Sequence, residues 1–259
     1  MKYYGRTLLA LATSAALLSA CSDGTEGATT TDGTGSQTET AGSGLPSEDD
    51  VEAYFQAAAM YDVVALDRAV ELAEEGSVAE AYATYLLGYA NAAMDGGVPL
   101  SGSLVDRTAD GYGSCDGGDC VTWGNIEGRD GKLVDFTVNG ESLEERITAG
   151  IGERVAAGEL AHVTMLSAYQ SVTSGDLHVV AEVRSGDAPI KIGLYEATYR
   201  SPEGRESKAA EFVGPPSLAP GSMATVVVSF PNAAVGGVAT VPVFSNDFEA
   251  RREAVLPIR

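Results

Sequence analysis

The stretches HVTMLSAYQS at residues 162–171 and LHVVAEVR at residues 177–184 decide the fold of this chain. From Leu177 to Val183 every second residue is apolar, which is the period of a strand with one buried face. The turn residues Ser174-Gly175-Asp176 separate the two stretches. The pattern predicts two neighbouring β-strands joined by a short turn.

Five more short apolar stretches follow toward the C-terminus, separated by residues that favour turns. The seven stretches span roughly a hundred residues with no intervening helical pattern, which is typical of a β-sandwich. We therefore expect an antiparallel sandwich over residues 161–259. The five further strands are predicted at Ile190–Tyr199, Lys208–Phe212, Thr225–Phe230, Ala239–Phe244 and Ala250–Ile258.

Residues 47–97 have the pattern of a helical hairpin. Ser47 precedes a run of acidic residues, as an N-cap does, and apolar residues then recur at helical spacing as far as Gly76. Ser77 caps a second helix, which continues to Met94 before Gly96-Gly97-Val98-Pro99 ends it. Two helices with a short connection pack antiparallel.

Between the hairpin and the sandwich, residues 98–160 are rich in turns. Strands are predicted at Val121–Trp123 and Leu133–Val138, and Asp130-Gly131 and Asn139-Gly140 are turn dipeptides. The stretch 141–160 stays open between helix and loop. We expect a small β unit here, and the alternative is a curved antiparallel sheet that forms an α+β cone with the helices.

The N-terminus has the features of an export signal. Lys2 and Arg6 precede an apolar run from Leu8 to Leu18, and this run is too short to span a bilayer. Leu18-Ser19-Ala20 stands directly before Cys21 and resembles the lipobox of bacterial lipoproteins. The resemblance implies that residues 1–20 are removed and that Cys21 carries a diacylglyceryl group. Two acyl chains give a stable membrane anchor.

The remaining cysteines form an even pair. If Cys21 carries lipid, then Cys115 and Cys120 are left in an oxidising compartment, with Asp116-Gly117-Gly118-Asp119 between them. The two glycines permit a tight reversal of the backbone. We expect a structural disulfide that fixes the shape of the β unit.

Residues 21–46 contain almost no apolar residue before Leu45 and are rich in Gly, Ser, Thr, Asp and Glu. Such a segment buries too little surface to offset the entropy of ordering. It is predicted to be a disordered linker between the lipid anchor and the folded part.

The composition excludes several classes of partner. The formal net charge of −21 opposes binding to nucleic acid and a second, polybasic attachment to anionic lipid. The abundance of alanine, glycine and acidic residues resembles that of exported actinobacterial proteins. The expected location is the extracytoplasmic face of the cell membrane.

No catalytic motif stands out in the chain. It has two histidines, His162 and His178, and the pattern of Leu177–Val183 places His178 on the strand face opposite the apolar residues. We find no phosphate-binding loop, nucleophile elbow or zinc-binding helix motif. The chain is therefore predicted not to be an enzyme and to need no metal or cofactor.

Aromatic residues offer a candidate ligand face. Tyrosines are frequent in the predicted hairpin, and Trp123 is the single tryptophan of the chain. Tyr85, Tyr89 and Trp123 could line a site between the hairpin and the β unit, or they could fill a core. Both interpretations stay open from the sequence.

The late part of the sandwich resembles a known type of domain. Leu218-Ala219-Pro220-Gly221-Ser222, followed by a strand that ends at Ser229-Phe230-Pro231, is similar to immunoglobulin-like (telokin-like) domains of bacterial surface lipoproteins. The Cys…Trp…Cys signature of antibody domains is missing. The resemblance implies an adhesion, binding or scaffold module whose partner is an envelope or extracellular protein.

The chain is thus predicted to be α+β, with a helical hairpin, a small β unit and a C-terminal antiparallel immunoglobulin-like sandwich. The expected function is that of a lipid-anchored binding or scaffold module. The alternative is a small-ligand binder or a hydrolase with a site between the hairpin and the β unit.

The predicted anchor can be tested at Cys21. Replacing it by alanine removes the thiol that would carry the lipid, so we expect the variant to lose its partition into detergent and its retention by membranes. Mass spectrometry of the mature wild-type N-terminus should show Cys21 with acyl chains. Unmodified Cys21, or cleavage at another position, would contradict the prediction.

Overall fold

The computed structural model describes residues 44–116 and 118–259. The predicted signal peptide, Cys21 and most of the predicted linker lie outside the described residues. Three helices begin the described part: α1 is Glu48–Met60, α2 is Val63–Leu72 and α3 is Val78–Gly96. The side chain of Ser47 accepts a hydrogen bond from the backbone N–H of Asp50, and that of Ser77 accepts one from Glu80. Both predicted caps are therefore present.

The first predicted helix is broken, so the predicted two-helix hairpin is wrong in its number of helices. Tyr61 ends α1 in the left-handed region, at φ 55°. Asp62 then caps α2, since its side chain accepts a hydrogen bond of 2.8 Å from the backbone N–H of Ala65. Apolar spacing continues through this break, which is why the helical pattern did not reveal it.

A five-stranded antiparallel sheet, sheet I, follows the helices. Its neighbours in space are neighbours in sequence, in the order β1-β2-β3-β4-β5. The predicted turns at Asp130-Gly131 and Asn139-Gly140 form two-residue hairpin loops with positive φ at all four residues. The strands are β1 Asp106–Thr108, β2 Gly111–Asp116, β3 Asp119–Arg129, β4 Lys132–Val138 and β5 Glu141–Ser142.

Twelve further strands lie in the rest of the described chain, with a short 3-10 helix at Leu194–Glu196. The strands are β6 Ile147–Ala149, β7 Arg154–Ala157, β8 Ala161–Gln170, β9 Leu177–Ser185, β10 Ile190–Ile192, β11 Thr198–Arg200, β12 Glu206–Lys208, β13 Glu211–Val213, β14 Ser217–Leu218, β15 Met223–Phe230, β16 Val238–Ser245 and β17 Arg251–Pro257.

These strands form two antiparallel sheets around a common apolar core. Sheet II has the order β13-β15-β9-β8-β6, with β7 also paired to β8. Sheet III has the order β12-β11-β16-β10-β14, with β17 paired to β16. Fully buried residues from both sheets, such as Val226 and Phe230 of sheet II and Val241 and Leu256 of sheet III, fill the space enclosed. The arrangement is consistent with a β-sandwich.

Two predicted strands are divided, and the second sheet begins earlier than expected. Residues 190–199 form β10 and β11, which pair with different parts of β16 around the 3-10 helix. Residues 208–212 divide between β12 in sheet III and β13 in sheet II. Strands β6 and β7, which precede the predicted boundary at residue 161, belong to sheet II because both pair with β8.

The helices and sheet I share a second core with the outer face of sheet II. Phe55 of α1 and Phe136 of β4 are buried in this core together with Val180 and Val227 of sheet II. Helix α3 packs closely on the sheet at Gly88, where a Cβ atom would overlap with Cγ1 of Val180. The absence of a side chain at this position therefore sets the distance between the helix and sheet II.

Replacing Gly88 by alanine should destabilise the protein by about 1–2 kcal/mol. Overpacking lowers the free energy of unfolding by about 1–3 kcal/mol. Replacing glycine by alanine within a helix raises it by up to about 1 kcal/mol. Denaturant unfolding measures this change. The matched variant Gly88→Ala in a Val180→Ala background should lose less, because the overlapping methyl group is gone. A stabilised single variant would contradict the close packing of α3 on sheet II.

Candidate functional site

An aromatic cluster fills the interior between α1 and sheet I. Trp123 stacks on Phe55, with ring centroids 5.3 Å apart, and the edge of Phe136 meets the same ring at 5.2 Å. Only 3% of Trp123 is exposed, and its indole N–H has no hydrogen-bond acceptor in the described part of the chain. The tryptophan proposed for the ligand face therefore belongs mainly to the core.

A row of tyrosines leads from this cluster to the surface. Tyr82 lies beside Tyr85, and Tyr85 lies 6.3 Å from Tyr89 between ring centroids. Tyr61, at the end of α1, lies 6.1 Å from Tyr89. Tyr82 and Tyr85 are buried, whereas Tyr61 and Tyr89 are half-buried. The structure thus brings Tyr85 and Tyr89 together and places Tyr61, another tyrosine of the predicted hairpin, beside them.

Two adjoining cavities open along this row, and they share Tyr61 and Ser101 as walls. We call the two cavities together the tyrosine groove. The first has a volume of about 250 Å³ and is lined by Ala58, Ala59, Tyr61, Tyr82, Ser101, Ser103, Ser114, Asp116, Asp119, Val121 and Trp123. The second has a volume of about 330 Å³ and is lined by Tyr61, Tyr85, Tyr89, Pro99, Leu100, Ser101 and His178.

The connection from α3 to β1 forms one wall of the groove and is held against α1. The backbone N–H of Ser103 donates to the carbonyl of Ala59 at 3.2 Å, and that of Val105 donates to the Gln56 side chain at 3.1 Å. Gly102 lies directly on the helix end, where a Cβ atom would come within 2.5 Å of the Met60 Cα. The wall is therefore fixed by backbone contacts.

The tip of the β2–β3 hairpin forms the opposite wall. The sulfur atoms of Cys115 and Cys120 lie at disulfide distance, 2.07 Å, between directly paired positions of the two strands. The neighbouring Asp116 and Asp119 line the first cavity, and Ser101 donates its hydroxyl hydrogen to Asp116 at 3.1 Å. The cysteine pair thus holds two carboxylates at the groove.

His178 is part of the wall of the second cavity. As the alternation predicts, it lies on the face of β9 opposite the sandwich core, and its ring is 6.1 Å from that of Tyr85. Its Nδ1 is 2.7 Å from Oγ of Ser229 on the paired strand β15. Burial lowers the pKa of His178, and Asp176 and Glu211 oppose this change. The imidazole is therefore neutral at pH 7.

The tyrosines of the groove stay neutral over a wide pH range. Burial raises the pKa of Tyr61 and Tyr82, and neighbouring phenols raise both further. The indole N–H of Trp123 faces Tyr82 and opposes the rise without the geometry of a hydrogen bond. Burial also raises the pKa of Tyr85 well above its ordinary value. The groove therefore offers hydroxyl groups and ring faces, not phenolates.

Metal ligands are not grouped at this site. Among residues 44–116 and 118–259, no three His, Cys, Asp or Glu side chains are placed to hold an ion together. Within the same ranges, no helix is both long enough and apolar enough to cross a membrane.

Only some of the groove residues could be predicted from the sequence. Tyr85 and Tyr89 were found from their spacing on one helix, but Ser101 and His178 carry no local signal. The acidic cap at Asp62 was a signal for the helix break that positions Tyr61, because aspartate is a preferred N-cap residue.

Alkaline pH should unfold the protein. The buried Tyr54, Tyr82 and Tyr85 have raised pKa values in the folded state, whereas unfolded tyrosines ionise near pH 10. Their contribution to stability is complete below pH 10 and is lost as the pH rises above it. We expect phenolate absorbance and loss of circular dichroism to appear together above about pH 10.

The variant Tyr85→Phe removes one of these phenols and provides the control. It should lose its circular dichroism at a higher pH than the wild type, because one fewer buried phenol ionises on unfolding. Phenolate absorbance from all tyrosines while the circular dichroism stays native would contradict their burial.

Comparisons with known proteins give little further information. No protein-family model matches the chain, and no curated protein matches it. Among solved structures, the GAE domain of GGA2p from Saccharomyces cerevisiae is similar over 43% of this chain and 98% of that domain, at 13% sequence identity. The TM-score of this superposition is 0.29, so it carries no conclusion about fold or function.

Proposed function

We propose that this chain is a lipid-anchored binding protein that holds a small ligand in the tyrosine groove. One observation carries the proposal: two adjoining cavities share Tyr61 and Ser101, and hydroxyl groups, carboxylates and aromatic rings line them. A concave site with a few convergent polar groups beside aromatic side chains is typical of small-molecule binding. The backbone contacts of the 98–105 connection support a site that is formed before the ligand arrives.

The contacts of His178 support binding rather than catalysis. Ser229 and His178 have the distance of a nucleophile and its base, but Ser229 is 8% exposed and lines neither cavity. In the described part of the chain, no carboxylate is hydrogen-bonded to the other ring nitrogen. A ligand in the groove would therefore meet the imidazole and not the serine. This supports a role for His178 as a ligand contact.

The N-terminal motif supports the location of the protein. We propose that Cys21 carries the lipid and that residues 21–43 act as a tether on the extracytoplasmic face of the cell membrane. A flexible chain of this length has a root-mean-square span of about 25 Å. The ligand would then be a component of the envelope or of the extracellular medium. We further propose that the sandwich of sheets II and III is of the immunoglobulin-like type and serves as the scaffold.

Trp123 makes the proposal testable without a label. It is the single tryptophan of the chain and lines the first cavity. We expect small-molecule fractions of the cell envelope to change its fluorescence in a saturable way when they are added to the full-length protein in detergent. The Tyr61→Ala variant should weaken this response about tenfold, because it removes the wall that both cavities share.

The matched control is Tyr195→Ala. Tyr195 is 70% exposed, lies in the 3-10 helix next to sheet III and lines neither cavity. Its replacement should leave the fluorescence response unchanged. A response that Tyr61→Ala leaves unchanged, or the absence of any saturable response, would overturn the proposed site.

A further inference from the structure

The charged side chains that line the tyrosine groove are all acidic. Asp116 and Asp119 line the first cavity, and neither cavity has a lysine or an arginine in its lining. Glu211 lies close enough to raise the pKa of Tyr89, which lines the second cavity. A ligand in the groove therefore meets the carboxylates of Asp116 and Asp119 in the first cavity, and Glu211 lies near the second.

These carboxylates are not neutralised within the described part of the chain. The ion pairs of residues 44–116 and 118–259 include none of Asp116, Asp119 and Glu211. Asp116 accepts one hydrogen bond from Ser101, which leaves its charge in place. His178 adds no positive charge, because burial keeps its imidazole neutral at pH 7. An anionic ligand would be repelled, and a cation would be attracted.

The rings of the groove favour a cation for a second reason. Tyr61, Tyr85 and Tyr89 line the second cavity with neutral phenols. The face of an aromatic ring attracts an ammonium group, and the attraction grows when water is excluded. Aromatic rings and carboxylates together are the surroundings that a desolvated organic cation needs, whereas an inorganic ion would need more oxygen ligands.

Trp123 contributes its ring to the wall of the first cavity, while its indole N–H faces Tyr82. The volumes of about 250 Å³ and 330 Å³ are suited to a small molecule.

We infer that the tyrosine groove binds a small organic ammonium ion. The inference rests on the proposed function and adds the chemical class of the ligand. The ammonium group lies against the tyrosine rings and is paired with the carboxylates of the groove.

Choline and its uncharged tert-butyl analogue provide the test, because the two have the same shape and differ in the charge of one atom. Titration of the full-length protein in detergent, followed by Trp123 fluorescence, should give a dissociation constant about tenfold lower for choline. Added salt should weaken choline binding and leave that of the analogue nearly unchanged.

Charge-removing variants complete the test. Asp119→Asn and Glu211→Gln should each weaken choline binding, about tenfold when combined. Asp187→Asn is the matched control: it removes the same charge from an exposed sandwich loop and should leave binding unchanged. Because only charge is removed in these variants, an unaltered circular dichroism spectrum and an unaltered affinity for the uncharged analogue would show that the groove is intact.

The outcomes separate the inference from the proposed function. The inference would be overturned if the uncharged analogue bound as tightly as choline, or if acetate bound more tightly. If Tyr61→Ala then weakened the binding of the analogue or of acetate, the groove would still be the binding site. The absence of saturable choline binding would also overturn the inference, whereas the titration with envelope fractions decides the proposed function independently.

Discussion

The packing of aromatic rings around Phe55 holds the helices on sheet I, and the candidate site depends on it. Phe55 is fully buried in α1, and its ring contacts Tyr112, Trp123 and Phe136 from three successive strands. Each such ring buries a large apolar area, and edge-to-face pairs add to the stabilisation. Because these rings fill the interior, the tyrosine groove lies at the rim of the cluster.

The side of the helices that is turned away from sheet I packs on sheet II. Residues on this side contribute both to the groove and to the contact with the sandwich. Gly88 lets α3 approach the sheet at Val180, and Tyr85 of the same helix contacts Tyr169 of β8 at 4.8 Å and His178 of β9 at 6.1 Å. The side chains of one helix thus contribute to the packing on sheet II and to the wall of the groove. A rigid sheet beneath the tyrosines limits their rotamers, which favours a preformed site.

Much of the fold was predictable, for reasons that can be stated residue by residue. The alternation in residues 177–184 fixes the buried face of β9, and the turn dipeptides at 130–131 and 139–140 fix two hairpins of sheet I. The break at Tyr61 was missed because the apolar spacing continues across it. The division of residues 208–212 between two sheets was missed because periodicity describes one strand and not the sheet to which it pairs.

The groove was predictable only in part, because its walls come from distant segments. The aromatic spacing indicated Tyr85 and Tyr89, but Ser101 and His178 reach the groove only when the 98–105 connection and sheet II are in place. Trp123 was selected as a ligand contact and is mainly a core residue, because a large aromatic ring has more to gain from burial than from exposure. Where the rings end, the walls must still satisfy backbone and hydroxyl groups, so the rim is polar. This constraint places the hydroxyl groups and carboxylates of the groove next to apolar ring faces.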